Sequence, residues 1–137
     1  MSPKHHFFSL KLSPPFDRLN DPELILLANL AQERHYEPGS LVYRGGRPLS
    51  YLYITIQGSL CVQTSPPIRL PRVFGEESLL FNRAIAHDLH ADREGATCLL
   101  FRKENFFTMV YECPSLLLGF CHTTVDTPSL FIPSYTT

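Results

Sequence analysis

Up to Leu19 the apolar residues Phe7, Phe8, Leu10 and Phe16 follow no sustained period and are broken by Pro3, Pro14 and Pro15. That pattern predicts an arm docked along a domain surface. From Asn20 the period changes: Asn20 or Asp21 can cap, Pro22 suits a first helical turn, Glu23 favours the helix dipole, and Leu24, Leu27, Ala28 and Ala31 recur at helical spacing. A helix over about 22–33 is expected. The next stretch, RHYEPGSLVYRGGRPLSYLYITIQGSLCVQ, consists of short β-rich runs punctuated by Pro38-Gly39, Gly45-Gly46 and Gly58. It reads as antiparallel strands with tight turns. Leu52, Ile54 and Ile56 alternate with Tyr51, Tyr53 and Thr55, which predicts one buried apolar face.

A proline-bearing connection, TSPPIRLPR, leads into FGEESLLFNRAIAHDLHA, Phe74 to Ala91. There Ile85, His87, Leu89 and Ala91 alternate with Ala86, Asp88 and His90, predicting a strand that ends in the turn residues Asp92 to Gly95. ATCLLF is a further strand, and KENFFTMVYECPSLLLGF reads as a helix to about Tyr111 and a second segment from Pro114. Phe101, Phe106, Phe107 and Tyr111 are spaced to dock that helix on the strands in a core role. The remainder, HTTVDTPSLFIPSYTT, has no period and reads as a tail in which Leu130, Phe131 and Ile132 are the residues suited to docking. The organisation is therefore an N-terminal arm over 1–19, one domain over 20–120 and a C-terminal tail over 121–137.

Composition narrows the functional classes. At 137 residues and 15.6 kDa, with 44% hydrophobic and 18% charged residues, the chain suits one globular domain. A formal net charge of -1, from 12 basic and 13 acidic residues, supplies no field to attract DNA or an anionic membrane. No apolar run is long enough to span a bilayer, and the opening residues lack a signal-peptide core, so a soluble cytoplasmic protein is expected. Cys61, Cys98, Cys113 and Cys121 are far apart without a CxxC pair, and buried free thiols are the expectation. His87 and His90, three apart on a strand, would face opposite sides, so no metal site is expected; no nucleophile signature points to an enzyme, and no cofactor is implied.

Four pieces in order carry a resemblance: EPGSLVYRGG, YLYITIQGSL, FGEESLL, and LLFRKENF with Pro114 downstream. Across residues 16–120 the chain resembles the cyclic nucleotide-binding domain of the catabolite-activator and kinase regulatory-subunit type. The resemblance implies a mainly β fold with flanking α-helices, an antiparallel β-roll or double-stranded jelly roll. It also implies a phosphate cradle. Gly75 lets backbone amides approach a cyclic phosphate, the helical turn containing Leu79 points free amides at it, and the small Ser78 keeps the backbone accessible. Glu76 stands where relatives bind a ribose hydroxyl, although a carboxylate there can equally cap the turn.

Relatives place an arginine nine residues after that glutamate, to pair with phosphate oxygens. Counted without gaps, that slot is Ile85, followed by Ala86. Arg83, two residues earlier, is a displaced clamp or a solvated residue. His87, on the strand face of Ile85, would look into the same cavity as a donor or a satisfied core histidine. The resemblance implies a regulatory module for a cyclic nucleotide or another nucleotide-like anion, with cyclic AMP binding weak or absent. The alternatives are a ligand-free protein-interaction module of the same fold, with a protein partner, and more distantly a cupin-type enzyme. No DNA partner is expected.

Overall fold

The protein is described by a computed structural model in which residues 3–122 and 130–131 are defined. Its strands are β1 Gln32–Tyr36, β2 Leu41–Tyr43, β3 Tyr51–Val62, β4 Ile68–Arg69, β5 Val73–Phe74 and β6 Leu89–Arg102. All pairings among these strands are antiparallel, with β6 at the centre of the sheet between β1 and β3. Helices α1 Pro3–Lys11, α2 Asp21–Leu30, α3 Glu76–Phe81, α4 Lys103–Glu112 and α5 Pro114–His122 complete the described fold. The architecture is the expected antiparallel β-roll with flanking helices.

Helix α2 starts where its capping residues require. The Asn20 side chain accepts from the Glu23 N–H at 2.9 Å, and the Asn20 N–H donates to the Glu23 carboxylate at 3.0 Å, a reciprocal box that satisfies two otherwise orphan donors. The helix stops at Leu30, earlier than its apolar spacing suggested. Gln32–Tyr36 instead pairs with β6 from Gln32↔Leu100 to Tyr36↔Ala96, so long-range ladder hydrogen bonds outweigh local helical preference there.

Residues 92–95 are not a turn. β6 runs through them unbroken, and the sheet bends where Gly95, at φ +74°, faces Gly58 of β3, at φ +72°. A Cβ on Gly58 would lie 2.1 Å from the Gly95 carbonyl oxygen, and the β3–β6 register shifts between Gly58 and Leu60. Two glycines in left-handed conformations therefore curl a long strand pair where the composition resembled a reversal. The curl lets β6 pair with β1 along its second half and with β2 at its start. It also covers the second sheet face. Leu52, Tyr53, Ile54 and Thr55 are consecutively buried, in place of the single apolar face that the alternation predicted, and Ile56 is only partly buried.

The helices before and after the roll pack together, as expected. Phe16 stacks on Phe101 of β6 at 6.2 Å and meets Phe120 of α5 edge-on at 5.9 Å, while Phe106 of α4 lies 5.7 Å from Phe120. Leu10 and Phe16 of the N-terminal segment are fully buried while Phe8 is 53% exposed, and the segment is helical over Pro3–Lys11, where no period was legible. Arg72 fastens it, donating to the Ser13 hydroxyl at 2.6 Å and the Ser9 carbonyl at 3.3 Å. The aromatic stripe of α4 divides: Phe106 is buried, whereas Phe107 is 39% and Tyr111 83% exposed. Cys61, Cys98 and Cys113 are buried free thiols, and burial pushes the Cys98 thiol up to about 11. The Cys121 side chain and Ile132 lie outside the described residues.

Candidate functional site

The cradle is built around the start of α3. Gly75 caps it at φ +116°, and a Cβ there would come within 2.9 Å of Leu49 Cδ1 and 3.2 Å of the Tyr51 carbonyl oxygen. Only glycine fits both constraints. Ser78, one turn on, is fully buried, and its hydroxyl accepts from the Leu49 N–H at 2.8 Å while donating to the Arg83 carbonyl at 2.7 Å. Ser78 therefore holds the cassette closed on the roll, and buried Leu79 anchors α3 in the core.

Arg83 is already engaged. Its guanidinium donates to the Glu77 carboxylate at 3.1 Å and lies 5.4 Å over the ring of Phe131. Its Nε is buried and finds no acceptor among the described residues. Ile85, nine residues after Glu76, is fully buried. Its N–H donates to the Arg47 carbonyl at 3.1 Å, and its carbonyl accepts from the Gly46 N–H at 2.7 Å. The neighbouring amide faces the opposite edge: the Ala86 N–H donates to the Leu130 carbonyl at 2.8 Å, and Ile85 bridges Phe131 antiparallel. Residues 46–48, 84–86 and 130–131 thus form a small three-stranded ladder, closed on the first side by the Pro48↔Ala84 bridge.

Phe131 also stacks on Phe74, with ring centroids 6.3 Å apart and planes 15° from parallel, and Leu130 is buried. Such an aromatic pair contributes about 0.5 to 1.5 kcal/mol beyond its burial. No regular strand runs through residues 86–88; the chain bends, and the Gly45 N–H donates to the Asp88 carboxylate at 2.6 Å. This bend leaves Ala86 and His87 exposed, so the His87 side chain does not share the buried face of Ile85 as the alternation predicted. The structure gathers Gly75, Ser78, Leu79, Arg83, Ile85 and the Ala86 backbone around the cassette, with Glu76 at its helix start. Sequence reasoning did not foresee Phe74 and Glu77 as partners of the clamp region, nor Phe131 across from Ile85. The one available signal was the apolar Leu130-Phe131-Ile132 in an otherwise polar tail.

Glu76 carries a strongly shifted carboxyl. Burial, reinforced by the nearby negative charge of Glu77, pushes its carboxyl from the ordinary 4.5 to about 7, against a smaller opposing contribution from its own backbone N–H. Its Oε2 is buried without a donor among the described residues. Near neutral pH this group can accept from, or donate to, a hydroxyl. The cassette therefore combines a raised carboxyl at Glu76 with a fully buried apolar side chain at Ile85.

No family model matches the sequence, and no curated protein matches it. Solved structures do. The regulatory subunit of a cAMP-independent protein kinase A from Trypanosoma brucei superposes with a TM-score of 0.75 at 20% identity, over 92% of this chain and 48% of that one. The chain has the cyclic nucleotide-binding domain fold. The corresponding Trypanosoma cruzi subunit, bound to guanosine, gives 0.72 at 17% identity over 92% and 47%. The sensor domain of the transcriptional regulator DNR from Pseudomonas aeruginosa gives 0.68 at 16% over 85% and 88%. The chain spans about half the length of the kinase regulatory-subunit chains it matches.

Proposed function

We propose that this chain is a regulatory ligand-binding module of the cyclic nucleotide-binding fold on which cyclic AMP binds weakly or not at all. The observation that carries the reading is Ile85, fully buried and backbone-bonded on the arginine slot. Hydrogen bonds to a charged group are worth about 1.5 to 3 kcal/mol each. Forfeiting about two of them weakens binding by a hundredfold or more. Arg83 is a poor substitute because its guanidinium is already paired with Glu77.

The retained Glu76 with no clamp beside it favours a neutral, hydroxyl-bearing ligand such as a nucleoside over a cyclic phosphate. Two neighbours support that division. The Trypanosoma cruzi subunit holds guanosine, which has no phosphate. The Trypanosoma brucei variant with cAMP in its A site carries an adjacent threonine and valine changed to arginine and alanine, besides a glutamate changed to alanine. Ile85→Arg would set an arginine before Ala86 in the same way. Exposed apolar side chains, Ile25 and Leu26 of α2, Tyr111 of α4 and Leu118 of α5, favour a second role in protein contact. Among the described residues no helix is long and apolar enough to cross a membrane.

Calorimetry with cyclic AMP, cyclic GMP and guanosine tests the reading. Cyclic AMP is expected to give no micromolar binding to the unmodified chain. Ile85→Arg is expected to introduce measurable cyclic AMP affinity, seen also as a ligand-induced rise in melting temperature, and Glu76→Gln on that background to lower it again. Micromolar binding of cyclic AMP by the unmodified protein would overturn the proposal.

A further inference from the structure

We infer that the cassette is a peptide site: it accepts an extended segment with an aliphatic residue followed by an aromatic one, and Leu130-Phe131 of the same chain is its occupant. The inference deepens the preceding reading and rests on the same replacement of a phosphate clamp by Ile85. Strand addition is a general way for a fold to bind a peptide, with main-chain hydrogen bonds giving affinity and side-chain contacts giving specificity. Both components are present. The Ala86 N–H, directed away from residues 46–47, takes the Leu130 carbonyl at 2.8 Å. Phe131 bridges Ile85, stacks on Phe74 and receives the Arg83 guanidinium over its ring.

The chemistry of the slot suits this occupant. A phosphate against a fully buried isoleucine would keep much of its charge uncompensated, whereas an uncharged peptide backbone with apolar side chains needs no counter-ion there. Position 131 calls for an aromatic residue, because stacking on Phe74 and the contact with the Arg83 guanidinium both require a ring. Position 130 calls for an aliphatic one, since Leu130 is 2% exposed and a carboxylate would be buried. Any ligand that requires the Ala86 amide competes directly with this segment.

The test compares the full-length protein with its full-length Phe131→Ala and Leu130→Glu variants. Amide hydrogen exchange is read at Ala86, and at Gly46 as an internal control, because the Gly46 N–H bonds to Ile85 on the other side of the ladder. Ala86 exchange is expected to accelerate tenfold or more in both variants while Gly46 stays protected. A fluorescein-labelled peptide of residues 126–135, DTPSLFIPSY, is then expected to bind the Leu130→Glu protein, with a tenfold or greater loss when its own phenylalanine is alanine. Unchanged Ala86 exchange in both variants, or a peptide that fails to bind the opened protein, would sink the inference. Ala86 protection that falls on dilution would overturn the same-chain assignment and place a second copy's segment in the slot. Cyclic AMP binding to the unmodified chain with Ala86 still protected would overturn only the preceding reading.

Discussion

The helical end of the roll and the cassette around α3 are made from similar residues and treated differently. At the helical end, Phe16, Phe101, Phe106 and Phe120 are all essentially buried and meet one another ring to ring. At the cassette, Phe74 and Phe131 stack beside a carboxyl oxygen and a guanidinium nitrogen that find no partner among the described residues. The first arrangement minimises free energy through packing. The second keeps polar groups whose desolvation is uncompensated, a cost that persists in proteins chiefly at functional sites. The contrast separates a wholly aromatic cluster from one that buries polar groups beside its rings.

Breaking the helical end should have the largest effect. Phe106→Ala empties a fully buried site between α4 and α5 and is expected to cost about 3 to 5 kcal/mol, read from the urea midpoint. A cost near 1 kcal/mol would mean that this end is no better packed than the cassette.

Glu76→Gln should act in the opposite direction. A carboxyl raised from 4.5 to about 7 in the fold is not penalised below its unfolded value and increasingly opposes folding as pH rises through its folded value. Removing the charge is therefore expected to stabilise the protein by about 2 kcal/mol more at pH 8 than at pH 5, compared by denaturant unfolding at the two pH values. Equal effects at both would show that Glu76 is solvated rather than held in reserve.

Phe131→Ala removes one stacked ring and one cation contact at a partly buried position, so a loss of about 1 kcal/mol in thermal unfolding is expected. Tyr111→Ser, at an 83% exposed site on α4, should change stability by less than about 0.5 kcal/mol in the same assay. A larger loss from Tyr111→Ser would place a stabilising contact on a face that is open in this fold.

Local signals were legible wherever local chemistry settles the outcome. Asn20 with Glu23 starts α2, Pro114 separates α4 from α5, and Gly75 opens α3, because capping, proline geometry and positive φ act within a few residues. They misled where distant partners decide. Asp92 to Gly95 has turn composition yet continues β6, since Gly58, paired with Ala96, leaves room for the Gly95 carbonyl. His87 lies in phase with Ile85 and is nonetheless exposed, because Asp88 and Gly45 hold a bend from 43 residues apart in sequence. Phe16 fits no local period because it is buried by elements as distant as β6 and α5.

By itself the sequence determined the class of fold, through the ordered motifs that carry its resemblance, and set Ile85 nine residues after Glu76. Only the tertiary structure decided what the remaining groups do. Whether Arg83 is a clamp depends on Glu77 and Phe131 beside it, whether Glu76 titrates near neutrality depends on how deeply the roll buries it, and the occupant of the Ala86 amide comes from 44 residues downstream, at Leu130. Charge, burial and hydrogen-bond partnership are properties of surroundings, and those surroundings exist only once the chain has folded back on itself.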